Sequence, residues 1–310
     1  MSSKTVREMI EENKSSKTNF RGVTEKVMPK FLLLCAIISV LTTFGIVFTL
    51  IFETFNFFSK VSFLEFITSP DWYPMHSNAS FGIRPLILGT LTIAAIAILV
   101  ALPLGLAAAI FLSEYASDRM RRIVKPVLEV LAGVPTIVYG FFALTFVTPL
   151  LQNIIPGLSI YNALSPGIVV GVMIIPMIAS LSEDAMSAVP NAIREGAYAM
   201  GATKFEVAIK VVFPAALSGI IASIVLAISR AIGETMIVTV AGGANPTSAI
   251  DITNAIQTMT AYIVQISLGD AGYGTTAYYS IYAVGMTLFV FTLIMNLAAY
   301  FISRKFREVY

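Results

Sequence analysis

The chain has 310 residues, of which 57% are hydrophobic and 12% charged, against a charged share of roughly 25% in soluble domains. With a mean hydropathy of +0.83, that deficit excludes an ordinary water-facing surface and points to lipid as the solvent. The net charge of +2 is too small to recruit nucleic acid, and a single cysteine excludes an internal disulfide framework or a multi-cysteine metal site.

Residues 1–30 are polar and carry both signs of charge, without the early apolar stretch and small-residue cleavage site of a secretory signal. They predict a cytoplasmic tail. Beyond them, uncharged runs of 22, 29 and 53 residues separate Lys30 from Glu53, Arg84 from Glu114 and Glu129 from Glu183. About 20 residues suffice to cross the hydrocarbon core. The longest run must be cut once, and Pro149, Pro156-Gly157 and Pro166-Gly167 mark the place. Backbone polar groups in lipid must be satisfied within each segment. The expectation is therefore an all-α polytopic membrane protein with six transmembrane helices, near Phe31–Phe52, Pro85–Leu112, Val127–Leu151, Ala163–Leu181, Ala215–Val240 and Ala277–Phe301. The corresponding organisation is a tail at 1–30, a first transmembrane helix at 31–52, an external loop at 53–84, a transmembrane core at 85–302 with a cytoplasmic loop at 182–214, and a tail at 303–310. Cys35, inside the first span, reads as a small buried hydrophobe.

Lysine and arginine settle the orientation. Of the 20, alternate compartments hold 17 and 2, and the last, Arg230, lies inside the fifth span. The positive-inside rule then places both termini in the cytoplasm. Outside, residues 53–84 alternate aromatic and polar side chains around Trp72 and Tyr73. This predicts a surface-lying helix and turn at the membrane interface, or alternatively a partner-binding loop. Residues 242–274 are rich in Gly, Thr and Ser, with Asp251 and Asp270 but no base; they line a mouth or meet an external partner.

Within the membrane, Arg230 and Glu234 stand at i,i+4 spacing, one turn apart on a helix face. A charge near the bilayer centre costs from about 2.5 to more than 10 kcal/mol depending on the measure. Two readings stand: an anion pathway with Arg230 as attractor and Glu234 as its neutralising or gating partner, or a structural ion pair that fixes packing. The guanidinium fork suits oxyanions, and Ser229, Thr235 and Thr239 either add hydroxyl donors or bond back to their own helix. Glu129, four residues after Lys125, is expected to pair with it. His76 has no partners at metal-ligand spacing. One histidine and one cysteine leave almost no material for a catalytic site. No glycine precedes a lysine, so no phosphate-cradling Gly-Lys-Ser/Thr loop exists; if ATP drives this protein, another chain binds it.

The strongest local pattern lies between spans four and five, from Ala192 to Pro214. It reads as a short helix with small residues on one face, a left-handed cap at Gly201, a second short helix from about Thr203, and a proline-marked return to the membrane. The segment resembles the EAA motif of ABC importer permeases, with Glu195-Gly196-Ala197, Gly201 and Val211-Val212-Phe213-Pro214 at the motif's spacing. Gly196 stands for the first alanine of that motif, and Val211 and Phe213 for its isoleucine and leucine. The resemblance implies the type I ABC importer architecture and a coupling helix, Glu195, Gly196, Ala197, Gly201 and Pro214 among its residues, that docks into a cytoplasmic ATPase. Three further stretches resemble the C-type permeases of phosphate (Pst) importers: Leu128 to Gly140; Trp72-Tyr73-Pro74 with Phe81-Gly82-Ile83; and Arg230 to Met236, whose Gly-Glu-Thr-Met ending differs from the Gly-Glu-Thr-Ala-Pro of the A-type partner.

This resemblance, over roughly residues 30–305, implies a multi-pass permease of the prokaryotic inner membrane that imports inorganic phosphate by alternating access. Arg230, Glu234, Thr235, Ser229 and Thr239 are then the expected pathway residues. It also implies three partners: a second permease chain (PstA-like), an ATPase dimer (PstB-like) and an external phosphate-binding protein (PstS-like). No cofactor is expected on this chain; ATP and Mg²⁺ belong to the ATPase. Sulfate or molybdate would suit Arg230 equally. A self-sufficient carrier with Glu234 as its proton site is the rival from another class, and a membrane enzyme is the weakest.

Overall fold

A computed structural model describes residues 20–305; the expected tails at 1–30 and 303–310 fall mostly outside them. The chain divides into two compact units between Phe52 and Glu53. The first is carried by helix α1 (Phe20–Phe58), whose side chains from Val27 to Phe52 are exposed or half-buried. Three of its hydroxyls are satisfied within the helix, Thr42, Thr43 and Thr49 donating to the carbonyls of Ile38, Ser39 and Gly45, as suits a lipid-facing helix. Cys35 is exposed, not buried as expected, because no described residue of its own unit covers this helix face.

The second unit begins at Glu53. Helix α2 (Phe63–Thr68) and a hairpin of β1 (Trp72–Tyr73) and β2 (Ser80–Phe81) fold over its aromatic end, with Trp72 opposite Phe81 and Tyr73 opposite Ser80. Trp72 does not sit at an interface. It is 1% exposed and meets Tyr262 edge-on, with ring centroids 4.9 Å apart. Tertiary contact overrides the interfacial preference of tryptophan here.

Helix α3 (Arg84–Ile110) ends in a wide π turn, Phe111–Tyr115. It packs along α6 (Leu164–Ser187) through glycines: a Cβ on Gly171 would meet the Ala97 carbonyl oxygen at 2.8 Å, and one on Gly105 would meet Ile178 at the same distance. Small residues let membrane helices approach this closely.

The third expected span, Val127–Leu151, is not one helix. It splits into α4 (Asp118–Ala132) and α5 (Thr136–Gln152), bent by 84°. Gly133 caps α4 and Pro135 opens α5; proline cannot continue an i→i−4 ladder and pushes Val134 out of the helical region. The fifth, Ala215–Val240, is also broken. Helices α7 (Asn191–Ala199) and α8 (Lys204–Ala215) precede α9 (Leu217–Ile232), with a 74° bend between α8 and α9, and α10 (Met236–Ala241) follows a gap at Gly233–Thr235. A buried helix α11 (Met259–Gln265) and the long α12 (Thr276–Lys305) complete the chain. Among the described residues, four helices are long and apolar enough to span a membrane by themselves, and up to six spans result when each bent pair counts as one.

Candidate functional site: a buried ion pair at a helix break

Helix α9 ends one residue short of the break. Gly233 caps it by donating to the Ser229 carbonyl at 3.1 Å. Glu234 therefore lies between helices rather than on one continuous face, yet it still meets Arg230, with Nη1 3.3 Å from Oε2. The break fixes Glu234 from three directions, one through its carboxylate and two through its backbone. Its Oε1 accepts from the Ile237 backbone N–H at 3.3 Å, its own carbonyl accepts from the Thr260 hydroxyl at 2.7 Å, and its N–H donates to the Ala231 carbonyl at 3.2 Å. Helix α5 backs this arrangement: a Cβ on Gly140 would come within 3.1 Å of the Met236 carbonyl oxygen.

The two charges are held very differently. The Glu234 side chain is 1% exposed, whereas 42% of Arg230 remains open, its Nη2 resting 3.9 Å from the Met173 sulfur. Oε2 of Glu234 is buried and makes no hydrogen bond of good geometry, so the contact is one of charge rather than a bidentate fork. A guanidinium neutralised on one side and open on the other has donors left for an oxyanion.

The expected hydroxyl donors are committed elsewhere. Ser229 donates to Asn296 Oδ1 on α12 at 2.7 Å, Thr235 to the Gly233 carbonyl at 3.2 Å, and Thr239 to the Thr235 carbonyl at 2.8 Å. Of the five expected pathway residues, the side chains of Arg230 and Glu234 meet each other, Thr239 meets only the backbone of Thr235, and Ser229 turns to α12. Residues 242–274 do line a cavity of about 300 Å³ with the hairpin, where Asn245, Gln257 and Gln265 face Trp72 and His76 and no lining side chain is acidic. A larger apolar cavity, about 630 Å³, is lined by neither Arg230 nor Glu234.

At the other end of α6, the segment resembling a coupling loop is built largely as expected. Gly201 takes φ +83°, a region that glycine enters without cost. Thr203 and Glu206 form a capping box at the start of α8. Glu195, Gly196 and Pro214 are exposed and Ala197 half-buried. Met200 is 89% exposed and Phe205 64%, an apolar tip with no cover among the described residues.

Five charged residues that sequence reasoning did not single out, Glu114, Arg121, Glu183, Asp184 and Arg194, support this end together with Lys125. Lys125 does not pair with Glu129; its ammonium binds Glu183 at 2.9 Å and also Asp184. Burial alone would lower the Lys125 pKa, but the bonds to Asp184 and Glu183 outweigh it and raise it. Arg121 binds Glu183 at 2.7 Å, and Arg194 binds Glu114 at 3.1 Å. Their one signal in the sequence is that Glu114 and Glu183 each close an uncharged run.

Residues 101–308 match the family of binding-protein-dependent transport system inner membrane components. The chain belongs to that family. Among its relatives, the probable ABC transporter permease protein YqgH of Bacillus subtilis is 34% identical over 79% of each chain. The phosphate transport system permease protein PstC of Mesorhizobium japonicum is 35% identical over 77% of this chain and 78% of its own. A probable PstC of Methanocaldococcus jannaschii is 32% identical over 82% and 87%. Among solved structures, a bacterial ABC transporter involved in alginate import aligns over 92% of this chain and 99% of its own, with TM-score 0.64 and 18% identity. The MetNI methionine transporter aligns over 73% and 95%, with TM-score 0.53 and 18% identity. At that identity these structures speak for the fold alone, which is that of ABC importer permeases.

Proposed function

We propose that this chain is the membrane-spanning permease subunit of an ATP-driven phosphate importer and contributes half of the translocation pathway. The observation that carries the reading is the Arg230–Glu234 pair at a helix break, in a chain whose relatives are phosphate permeases. Arg230 offers the oxyanion its open donors, while Glu234 holds the guanidinium in place and neutralises it when the path is empty. Phosphate binding then trades one partner of Arg230 for another, and such a trade shifts an inward–outward equilibrium only as far as phosphate binds one state better than the other.

The partners follow from the same reading: a second, PstA-like permease, a PstB-like ATPase pair holding ATP and Mg²⁺, and a PstS-like external binding protein. Both termini lie in the cytoplasm, and the assembly sits in the inner membrane. The exposed helix α7, with Glu195, Gly196 and the tip at Met200, is the surface offered to the ATPase.

The test is phosphate uptake by the reconstituted complex carrying Arg230→Ala. Loss of a charge-assisted hydrogen bond, about 1.5–3 kcal/mol, predicts that uptake falls by at least about tenfold while the ATPase stays bound. Unchanged uptake would return Arg230 and Glu234 to a purely structural role. Sulfate or molybdate displacing phosphate at equal concentration would change the assigned cargo.

A further inference from the structure

Arg194 stands immediately before Glu195 on α7, but its side chain turns away from the docking surface and is only 13% exposed. The guanidinium reaches into the seam between three elements. Nε and Nη2 both donate to Glu114 Oε1, at 3.3 and 3.1 Å, in the π turn that ends α3. Nη2 also donates to the Met186 carbonyl at 2.7 Å, in the last turn of α6. Nη1 donates to the Val189 carbonyl and, at 3.4 Å, to Asn191 Oδ1. Glu114 is 4% exposed and accepts a further bond from Ser113 at 3.0 Å.

The chemistry of this cluster requires arginine. A planar fork spans a carboxylate and two backbone carbonyls at once, which a lysine point charge does not, and a cation beside the last carbonyls of α6 complements its helix dipole. The end of α6 is gripped a second time by α4, where Arg121 and Lys125 hold Glu183 and Ser187 donates to the same carboxylate at 2.9 Å. Above the cluster, α3 and α6 touch backbone to backbone through their glycines. A force applied to α7 therefore meets two packed spans, through the polar grip of Arg194 and through Ile193 and Ala197, which pack against the cluster of Ala109, Met186 and Val189.

We propose that Arg194 is the positioning residue that makes the docking helix and the cytoplasmic ends of α3 and α6 move as one body, so that ATPase closure reaches the pathway through the Arg194–Glu114 pair. This rests on the importer reading above. It assigns Arg194 to transmission and leaves binding of the ATPase to the exposed residues of α7.

The experiment uses the full complex, with its ATPase and binding protein, in proteoliposomes, and reads ATP hydrolysed per phosphate imported alongside ATPase co-purification. Arg194→Gln is expected to keep the ATPase bound while ATP consumed per phosphate rises at least about fivefold, the lower end of ordinary coupling between sites. Glu114→Gln should move the ratio the same way. Arg194→Lys, which retains charge without the fork, should fall between wild type and Arg194→Gln and serves as the decisive variant if Arg194→Gln does not assemble. A wild-type ratio in an assembled Arg194→Gln or Arg194→Lys complex overturns the proposal. So does loss of the ATPase from a folded Arg194→Lys permease, since Arg194 would then be part of the docking surface itself. A wild-type complex that imports no phosphate at all would instead overturn the importer reading.

Discussion

Glu206 and Glu234 are carboxylates in opposite surroundings: one exposed and surrounded by donors, the other buried against a single cation. For Glu206, the Thr203 backbone N–H at 3.1 Å, the Lys210 ammonium at 3.0 Å and the Thr203 hydroxyl at 3.0 Å all favour the charged form. They hold its pKa at about 2, against an ordinary 4.5. Because the folded value is the lower one, the capping box contributes fully above about 4.5 and loses its contribution as pH falls through about 2. Acidification across that window is expected to loosen the first turn of α8, read as faster exchange of the Glu206 and Val207 amides relative to the rest of the helix. Glu206→Gln should remove this pH dependence. Equal pH dependence in both proteins would show that the box contributes nothing. Glu234 answers to a different constraint: with its side chain 1% exposed, removing Arg230 leaves a buried carboxylate without its cation, which is why the uptake test of Arg230 must be read beside assembly.

Among the elements, α7 is distinctive for what it lacks. A Cβ on Gly196 meets nothing within 4 Å, so a bulky side chain there disturbs no contact within the chain. Gly196→Trp is therefore expected to leave the permease folded and to release the ATPase by steric exclusion alone, read by co-purification. An undiminished ATPase yield would remove α7 from the docking surface. This helix, its Gly201 cap and the Thr203 start of α8 were all legible in the sequence, because caps and small-residue faces are local signals. The break in span three is hidden from hydropathy, although Gly133-Val134-Pro135 marks it, because it falls in a 53-residue run without charge; the gap at Gly233–Thr235 in span five is hidden because the i,i+4 spacing of Arg230 and Glu234 suggests one unbroken helix. Long-range partners left no local trace. Trp72 meets Tyr262 across 190 positions, and Arg194 meets Glu114 across 80. Arg230 and Glu234 were found for the opposite reason: ionisable residues inside an apolar span announce themselves, and their i,i+4 contact survives even though the helix that suggested it ends at Ile232.

For the molecule as a whole, charge and geometry converge on one orientation. The continuous helical stretch Arg84–Tyr115 has 32 residues, or about 48 Å at 1.5 Å per residue, enough to cross a bilayer including its headgroups. Arg84 stands at one end with Lys60 on the same aromatic side, where Lys60 lies over the Tyr279 ring. Glu114 stands at the other end, where Arg121, Lys125 and Arg194 gather around it and around Glu183. The positive-inside rule then predicts that the base-rich end is cytoplasmic and that the hairpin and the cavity beside Gln257 face outward. Thiol labelling tests this directly once Cys35 is replaced by serine, since it is the only cysteine. Ile250, 75% exposed on the hairpin side, and Met200, 89% exposed on α7, are suitable single-cysteine positions. In intact cells a membrane-impermeant reagent is expected to label Ile250→Cys and spare Met200→Cys, and in inverted vesicles stripped of ATPase to label Met200→Cys. The reversed pattern would place α7 outside the cell, where no ATP-hydrolysing partner could reach it, and would remove both the orientation and the coupling assignment at once.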